Sequence, residues 1–143
     1  MPEGPKTQMP ARRKARKRAL DVLYEADLRD LPPRQVLSSY LERIEVRPDH
    51  MDYAVGLVEG VAEHLDRIDE LIASYAEGWT IDRMPVVDRN LARIAVYELL
   101  YVPEIDDPVA ITEAVELAKQ MSTDDSPRFL NGLLGRIAEF ATR

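Results

Sequence analysis

After Arg12, apolar residues recur at three- and four-residue spacing almost everywhere, and proline stands at or beside the start of five of the stretches so formed. This pairing confines the chain to short helices. Proline fits the first turn of a helix, where its missing N–H has no partner to lose, but it breaks a helix interior or a central strand. No run of β-branched residues alternates with period two. Helices are predicted at about 12–30, 33–46, 49–64, 65–76, 85–102, 108–121 and 126–142. Seven helices without a strand make an all-α bundle.

Residues 1–11, rich in proline, are predicted to form a flexible tail ahead of one helical domain at 12–143. Gly78 to Pro85, with Trp79 among them, is the expected junction between an N-terminal half (about 12–77) and a C-terminal half (about 85–142). Pro33 suits a first-turn position. Asp49, Asp107 and Ser126 are the expected N-caps of their helices, the last two directly before proline.

The 143 residues are 45% hydrophobic, enough for one substantial core. Net charge is −7, which as a single number argues against a nucleic-acid partner. The distribution reverses that inference. Residues 1–18 hold seven basic groups and one acid, for +6, and the other 125 hold 12 against 25, for −13. The sequence is a basic arm on an acidic body.

Several chemistries lack their residues. There is no cysteine, which excludes disulfides, zinc–thiolate centres and cysteine nucleophiles and fits a reducing, cytoplasmic setting. His50 and His64 are fourteen residues apart without a second ligand at helical spacing, so no metal site is predicted. Glycine-rich phosphate loops, HExxH and Gly-x-Ser-x-Gly are missing. Neither a catalytic residue nor a cofactor is predicted. Apolar runs fall short of the roughly 20 residues that span a bilayer, and no membrane partner is expected. An arginine-rich N-terminus also suits an organellar transit peptide, but here it leads straight into a core-forming helix.

In the first helix, Ala15, Ala19, Val22, Leu23 and Ala26 share a face and should be core. Arg13, Lys17, Leu20, Tyr24 and Leu28 share another, cationic at one end and apolar at the other. Arg12, Arg13, Lys14, Arg16, Lys17 and Arg18 put six cations in seven positions, more than a mixed solvated surface carries. A short single-stranded RNA fits such an arm better than a duplex coating an acidic body. In the last helix Leu130, Leu133 and Ile137 form the apolar stripe, with Phe129 at its edge beside Arg136. Gly132 and Gly135 suggest the close approach of a helix or ligand there. Phe129 suits either a base-reading surface or the core.

Four segments, in order, resemble the NusB family of bacterial transcription antitermination factors. They are Arg12-Arg13-Lys14-Ala15-Arg16 leading to Leu23-Tyr24; Val87-Asp88-Arg89 leading to Tyr97-Glu98-Leu99; Val109-Ala110-Ile111 leading to Glu113-Ala114; and Asp125-Ser126 leading to Phe129 and Asn131-Gly132-Leu133-Leu134. The resemblance implies a seven-helix fold of two packed subdomains without catalysis. It also implies binding of boxA RNA with ribosomal protein S10 (NusE), within the RNA polymerase complex that reads through terminators, notably on ribosomal RNA operons. By residue, it implies RNA contacts from Arg12, Arg13, Lys14, Arg16, Lys17 and Arg18, and from Asp125, Ser126, Arg128 and Phe129. Tyr24 and Asp88 would face S10.

Asp88 and Pro127 depart from the glutamate and the polar residue of some relatives, shortening one reach and stiffening one helix start. The related helical domain of ribosomal RNA cytosine methyltransferases fits poorly, because the cysteine nucleophile and glycine-rich cofactor motif of its fused catalytic domain are missing. The alternative of a different class is a helical interaction scaffold or homodimer, to which the basic arm is incidental.

Overall fold

A computed structural model describes the backbone of residues 5–141 and side chains from Pro10 onward. Among these residues there are seven α-helices and no strand: α1 (Pro5–Arg29), α2 (Pro33–Glu42), α3 (Met51–Glu63), α4 (Leu65–Tyr75), α5 (Val86–Tyr101), α6 (Asp107–Met121) and α7 (Ser126–Phe140). One 3-10 turn, Ile81–Arg83, precedes α5. The expected tail lies partly outside the described residues. From Pro5 the backbone is already helical, with Pro10 inside α1.

Proline punctuation places the helix starts to within a residue or two and misplaces the caps. Pro33 opens α2 as expected. His50, not Asp49, precedes α3, and Asp106 and Asp125 are the N-caps of α6 and α7, which puts Pro108 and Pro127 in the second helical position. None of these caps makes a side-chain hydrogen bond to its helix. At α7 the expected cap, Ser126, is instead the first helical residue, and its hydroxyl is drawn inward to Asp88. α2 stops at Glu42 rather than 46, because Pro48 disfavours helix at Arg47 and Val46 points into solvent with no core to cover. α1 closes with Asp30 in the left-handed region (φ 52°) while Leu31 N–H donates to Ala26 O at 2.9 Å, a Schellman-type stop.

α1, α2 and α3 pack on one another, α5, α6 and α7 do the same, and α1 and α3 join the groups by lying against α5. α4 precedes the expected junction but packs chiefly on α5 and α7. One continuous core takes side chains from all seven helices, including Leu23, Val61, Ile72, Leu91, Leu117, Leu130 and Leu133. A smaller core of Ala15, Met51 and Ala54, flanked by Tyr40 and Tyr53, seats the basic half of α1 on α3.

The predicted inner face of α1 is buried throughout, from Ala15 to Ala26. So is the α7 stripe of Leu130, Leu133 and Ile137. The glycines behave differently from expectation. A β-carbon at Gly135 would meet open space, and at Gly132 only the Arg136 guanidinium of the same helix, at 3.2 Å. The close approach is at Gly60 on α3, where a β-carbon would run into the Tyr97 ring of α5.

Candidate nucleic-acid interface

The basic run of α1 is not a uniform charged surface. With 3.6 residues per turn, Arg16 falls in line with Ala19, Leu23 and Ala26 and is carried into the protein with them, only 3% exposed. Its Nε and Nη2 donate to Glu98 of α5 at 3.0 and 2.8 Å, and its Nη1 to Glu113 of α6 at 3.1 Å. Arg13, one turn earlier, donates to Glu113 through Nε and Nη2, the latter at 2.6 Å. Tyr53 of α3 completes the cluster by donating its hydroxyl to Glu98.

Two arginines face two buried glutamates, so the formal charges cancel around carboxylates that are withdrawn from water. Burial opposes the Arg16 charge, but the hydrogen bonds and charge of Glu98 outweigh it and hold the guanidinium above its ordinary value. Hydrogen bonding to Glu113 does the same for Arg13. Burial and the Glu98 carboxylate keep the Tyr53 hydroxyl protonated far beyond its usual range, fixing it as a donor.

The expectation that Arg16 meets RNA is therefore corrected, because its donors are consumed inside the bundle. The other five cations reach solvent. Arg12 lies over the Tyr53 ring, 4.9 Å from its centroid. Arg13 keeps 44% of its side chain exposed while bound to Glu113. Arg18 makes an exposed pair with Asp21 at 3.1 Å. Among the described residues Lys14 and Lys17 make no ion pair, and Lys14 is exposed. The basic edge of α1 thus carries more positive charge than its neighbours neutralise.

The second candidate region is a cleft of about 310 Å³ lined by Trp79, Arg83, Met84, Asp88, Thr123, Asp125, Ser126 and Phe129. Here Phe129 is neither free nor fully core. One side packs on the core and the other meets Trp79 edge-on, with ring centroids 6.0 Å apart and planes at 62°. Trp79 is half-exposed and presents the cleft's open aromatic surface. Sequence reasoning treated it only as a junction marker, since nothing local links it to a residue fifty positions away. Arg136 is turned from Phe129 to α4, donating twice to Tyr75 O at 2.8 and 3.0 Å. Asp125 and Arg128 are exposed at the α7 start, beside the cleft.

Ser126 and Asp88 need correction as direct contacts. Ser126 is buried and donates to Asp88 Oδ2 at 2.8 Å, while Ser122 donates to Asp88 Oδ1. Asp88, also buried, ties the first turn of α5 to the α6–α7 connection and floors the cleft. Tyr24, its expected companion towards a protein partner, is exposed on α1 with Leu28 one turn further on.

Farther along α1, Asp27 accepts from Arg89 Nε and Nη2 at 2.6 and 2.7 Å, from Asn90 Nδ2 at 2.9 Å and from Arg93 Nη1 at 3.1 Å. Arg93 also holds Asp69 of α4. Burial raises the Asp27 carboxyl, but these donors prevail and keep it below its ordinary value. No helix of the described residues is long and apolar enough to cross a membrane.

Fold and surface together define an all-α, seven-helix protein with a basic leading helix and an aromatic cleft at the start of its last helix. Comparison with known proteins makes the assignment specific. The chain belongs to the NusB family, which matches residues 13–139. It is 82% identical over 136 residues to the transcription antitermination protein NusB of Salinispora arenicola, covering 94% of this chain and all of that protein. Its fold matches NusB from T. maritima with a TM-score of 0.82 and 36% identity, over 92% of this chain and 93% of that one. It also matches a chain in a crystal structure of the antitermination factors NusB and NusE in complex with dsRNA, with a TM-score of 0.80 and 30% identity, over 92% and 98%.

Proposed function

We propose that this protein is a transcription antitermination factor that binds boxA-type single-stranded RNA together with ribosomal protein S10 (NusE). The pair would join the RNA polymerase complex that reads through terminators, including those on ribosomal RNA operons, in the cytoplasm and without catalysis. The observation that carries this reading is the surplus of cations on α1: Arg13 and Arg16 are balanced by Glu98 and Glu113 and Arg18 pairs with Asp21, yet Arg12, Lys14 and Lys17 also reach solvent and pair with no carboxylate among the described residues. Such a surplus on an otherwise acidic protein supports a local site for a polyanion rather than general coating of nucleic acid.

In this reading Arg12, Arg13, Lys14, Lys17 and Arg18 meet phosphates. Trp79 and Phe129 offer rings to an unstacked base, with Asp125 and Arg128 at the rim. Arg16 and Ser126 act from inside, holding those groups in place. Tyr24 with Leu28 supplies an apolar contact for S10, while Asp88, expected to face the same partner, supports the floor of the cleft from its buried position. Residues 12–143 serve as one helical domain.

The experiment is a titration of a boxA-like strand, a scrambled strand and a duplex at several salt concentrations, with and without S10. Preference for the boxA-like strand that strengthens with S10 is expected. Equal weak binding to all three, with self-association of the protein, would favour the helical scaffold or homodimer instead.

A further inference from the structure

Tyr53 lies on α3, outside the four segments that carry the family resemblance. Its ring packs against the small core of Ala15, Met51 and Ala54, so its place is set by the contact between α1 and α3. Its hydroxyl donates to the Glu98 oxygen that also accepts from Arg16 Nη2. The ring therefore cannot turn freely. Two guanidinium groups lie near it, Arg12 at 4.9 Å and Arg16 at 5.9 Å from the centroid.

These two cations have opposite roles. Arg16 is buried and spent on Glu98 and Glu113. Arg12 is partly exposed and, among the described residues, pairs with no carboxylate. A guanidinium on an aromatic face is held by the ring quadrupole while its N–H donors stay open to another acceptor. Arg12 is thus aimed without being neutralised.

We propose that Tyr53 is a positioning residue for RNA binding: its ring fixes the direction of Arg12, and through Arg12 the place of one backbone phosphate. This rests on the RNA-binding reading above. A free arginine side chain loses rotamer freedom when it meets a phosphate, and one already lying on a ring loses less. Tyr53 gains affinity for the site without touching RNA. The salt dependence counts phosphates contacted, so it separates loss of the contact from loss of the aim.

The test is a titration of the full chain with a boxA-like single strand at several salt concentrations, with folding checked by circular dichroism. Arg12→Ala should lower the salt slope by about 0.7. Tyr53→Phe keeps the ring and should bind within about two-fold of wild type, whereas Tyr53→Leu should bind about two- to five-fold more weakly with nearly unchanged slope. In the Arg12→Ala background, Tyr53→Leu should weaken binding no further. Should leucine loosen the small core, pentafluorophenylalanine at position 53 preserves the shape and reverses the ring electrostatics, and it should weaken binding relative to Tyr53→Phe. Wild-type affinity in both the leucine and pentafluoro variants overturns the proposal, as does an equal loss with and without Arg12. If Lys14→Ala and Lys17→Ala also change nothing, the RNA reading itself falls and takes the proposal with it.

Discussion

α1 is tied to the rest of the protein by two charge clusters of opposite polarity. At its N-terminal end it contributes cations, Arg13 and Arg16, to carboxylates on α5 and α6. Near its C-terminal end it contributes one carboxylate, Asp27, to cations on α5, with Asp69 of α4 closing the far side. Because the donors sit at one end and the acceptor at the other, a reversed or slipped α1 would set like charges together. The clusters also differ in surplus. Asp27 and Asp69 balance Arg89 and Arg93, and Glu98 and Glu113 balance Arg13 and Arg16, but only the second cluster has further cations stacked outside it. One is architectural, and the other is architecture beneath a binding surface.

The largest effect should come from breaking the buried cluster. Arg16→Ala leaves Glu98 almost wholly buried without its main partner and should lower unfolding free energy by about 3–5 kcal/mol. A loss below about 1 kcal/mol in denaturant titration would place Arg16 at the surface after all. Asp27→Asn should cost about 2 kcal/mol at neutral pH, since that cluster is more open to water. Its pH dependence has a definite sign. A carboxyl held below its ordinary value of 3.8 stabilises the fold above that value and loses this contribution as pH falls through the folded value. The gap between wild type and Asp27→Asn should therefore be constant from neutral pH down to about 4 and close in stronger acid. A gap that persists unchanged in strong acid would show that the carboxylate charge is not what matters.

How far these clusters were legible in the sequence differs by residue. Helical periodicity identified the inner face of α1 because apolar side chains announce burial by themselves. The same periodicity carried a usable signal for Arg16, three, seven and ten positions before Ala19, Leu23 and Ala26, but density of charge overrode position. Glu98 and Glu113 sit equally plainly in apolar stripes, with Ala95 and Val102 on one helix and Ala110 and Leu117 on the other. Three charged residues on buried faces imply one another. By contrast, the pairing of Trp79 with Phe129 and the place of Tyr53 over α1 depend on how helices cross, which no local pattern encodes. The expected cap at Ser126 failed for a related reason, since its hydroxyl has a tertiary partner in Asp88 that outcompetes its own helix.

The outer cations should separate from the inner ones in a way that sharpens the contrast. Lys14→Ala and Lys17→Ala together should change stability by no more than about 0.5 kcal/mol, because neither joins an ion pair among the described residues. RNA affinity should fall roughly ten-fold at low salt, and the salt slope should drop by about 0.7 for each lysine that meets a phosphate. Loss of stability with an unchanged slope would assign the lysines to the architectural layer.

The smallest expected effect tests whether the surplus is what counts. Asp21 is the carboxylate on α1 that touches an outer cation, and both it and Arg18 are more than 40% exposed. An exposed pair of this kind is worth only a few tenths of a kcal/mol, so Asp21→Asn should leave the melting temperature almost unchanged. Removing the charge nevertheless takes away both a competitor for Arg18 and a source of repulsion for phosphate. RNA should bind slightly tighter, by less than about three-fold, with the gain largest at low salt and fading as the Debye length shortens. The gain should vanish in an Arg18→Ala background if it acts through that pair. Tightening that survives Arg18→Ala would instead mean that the phosphates sense the total charge of α1, and that the edge works as a field rather than as a set of placed contacts.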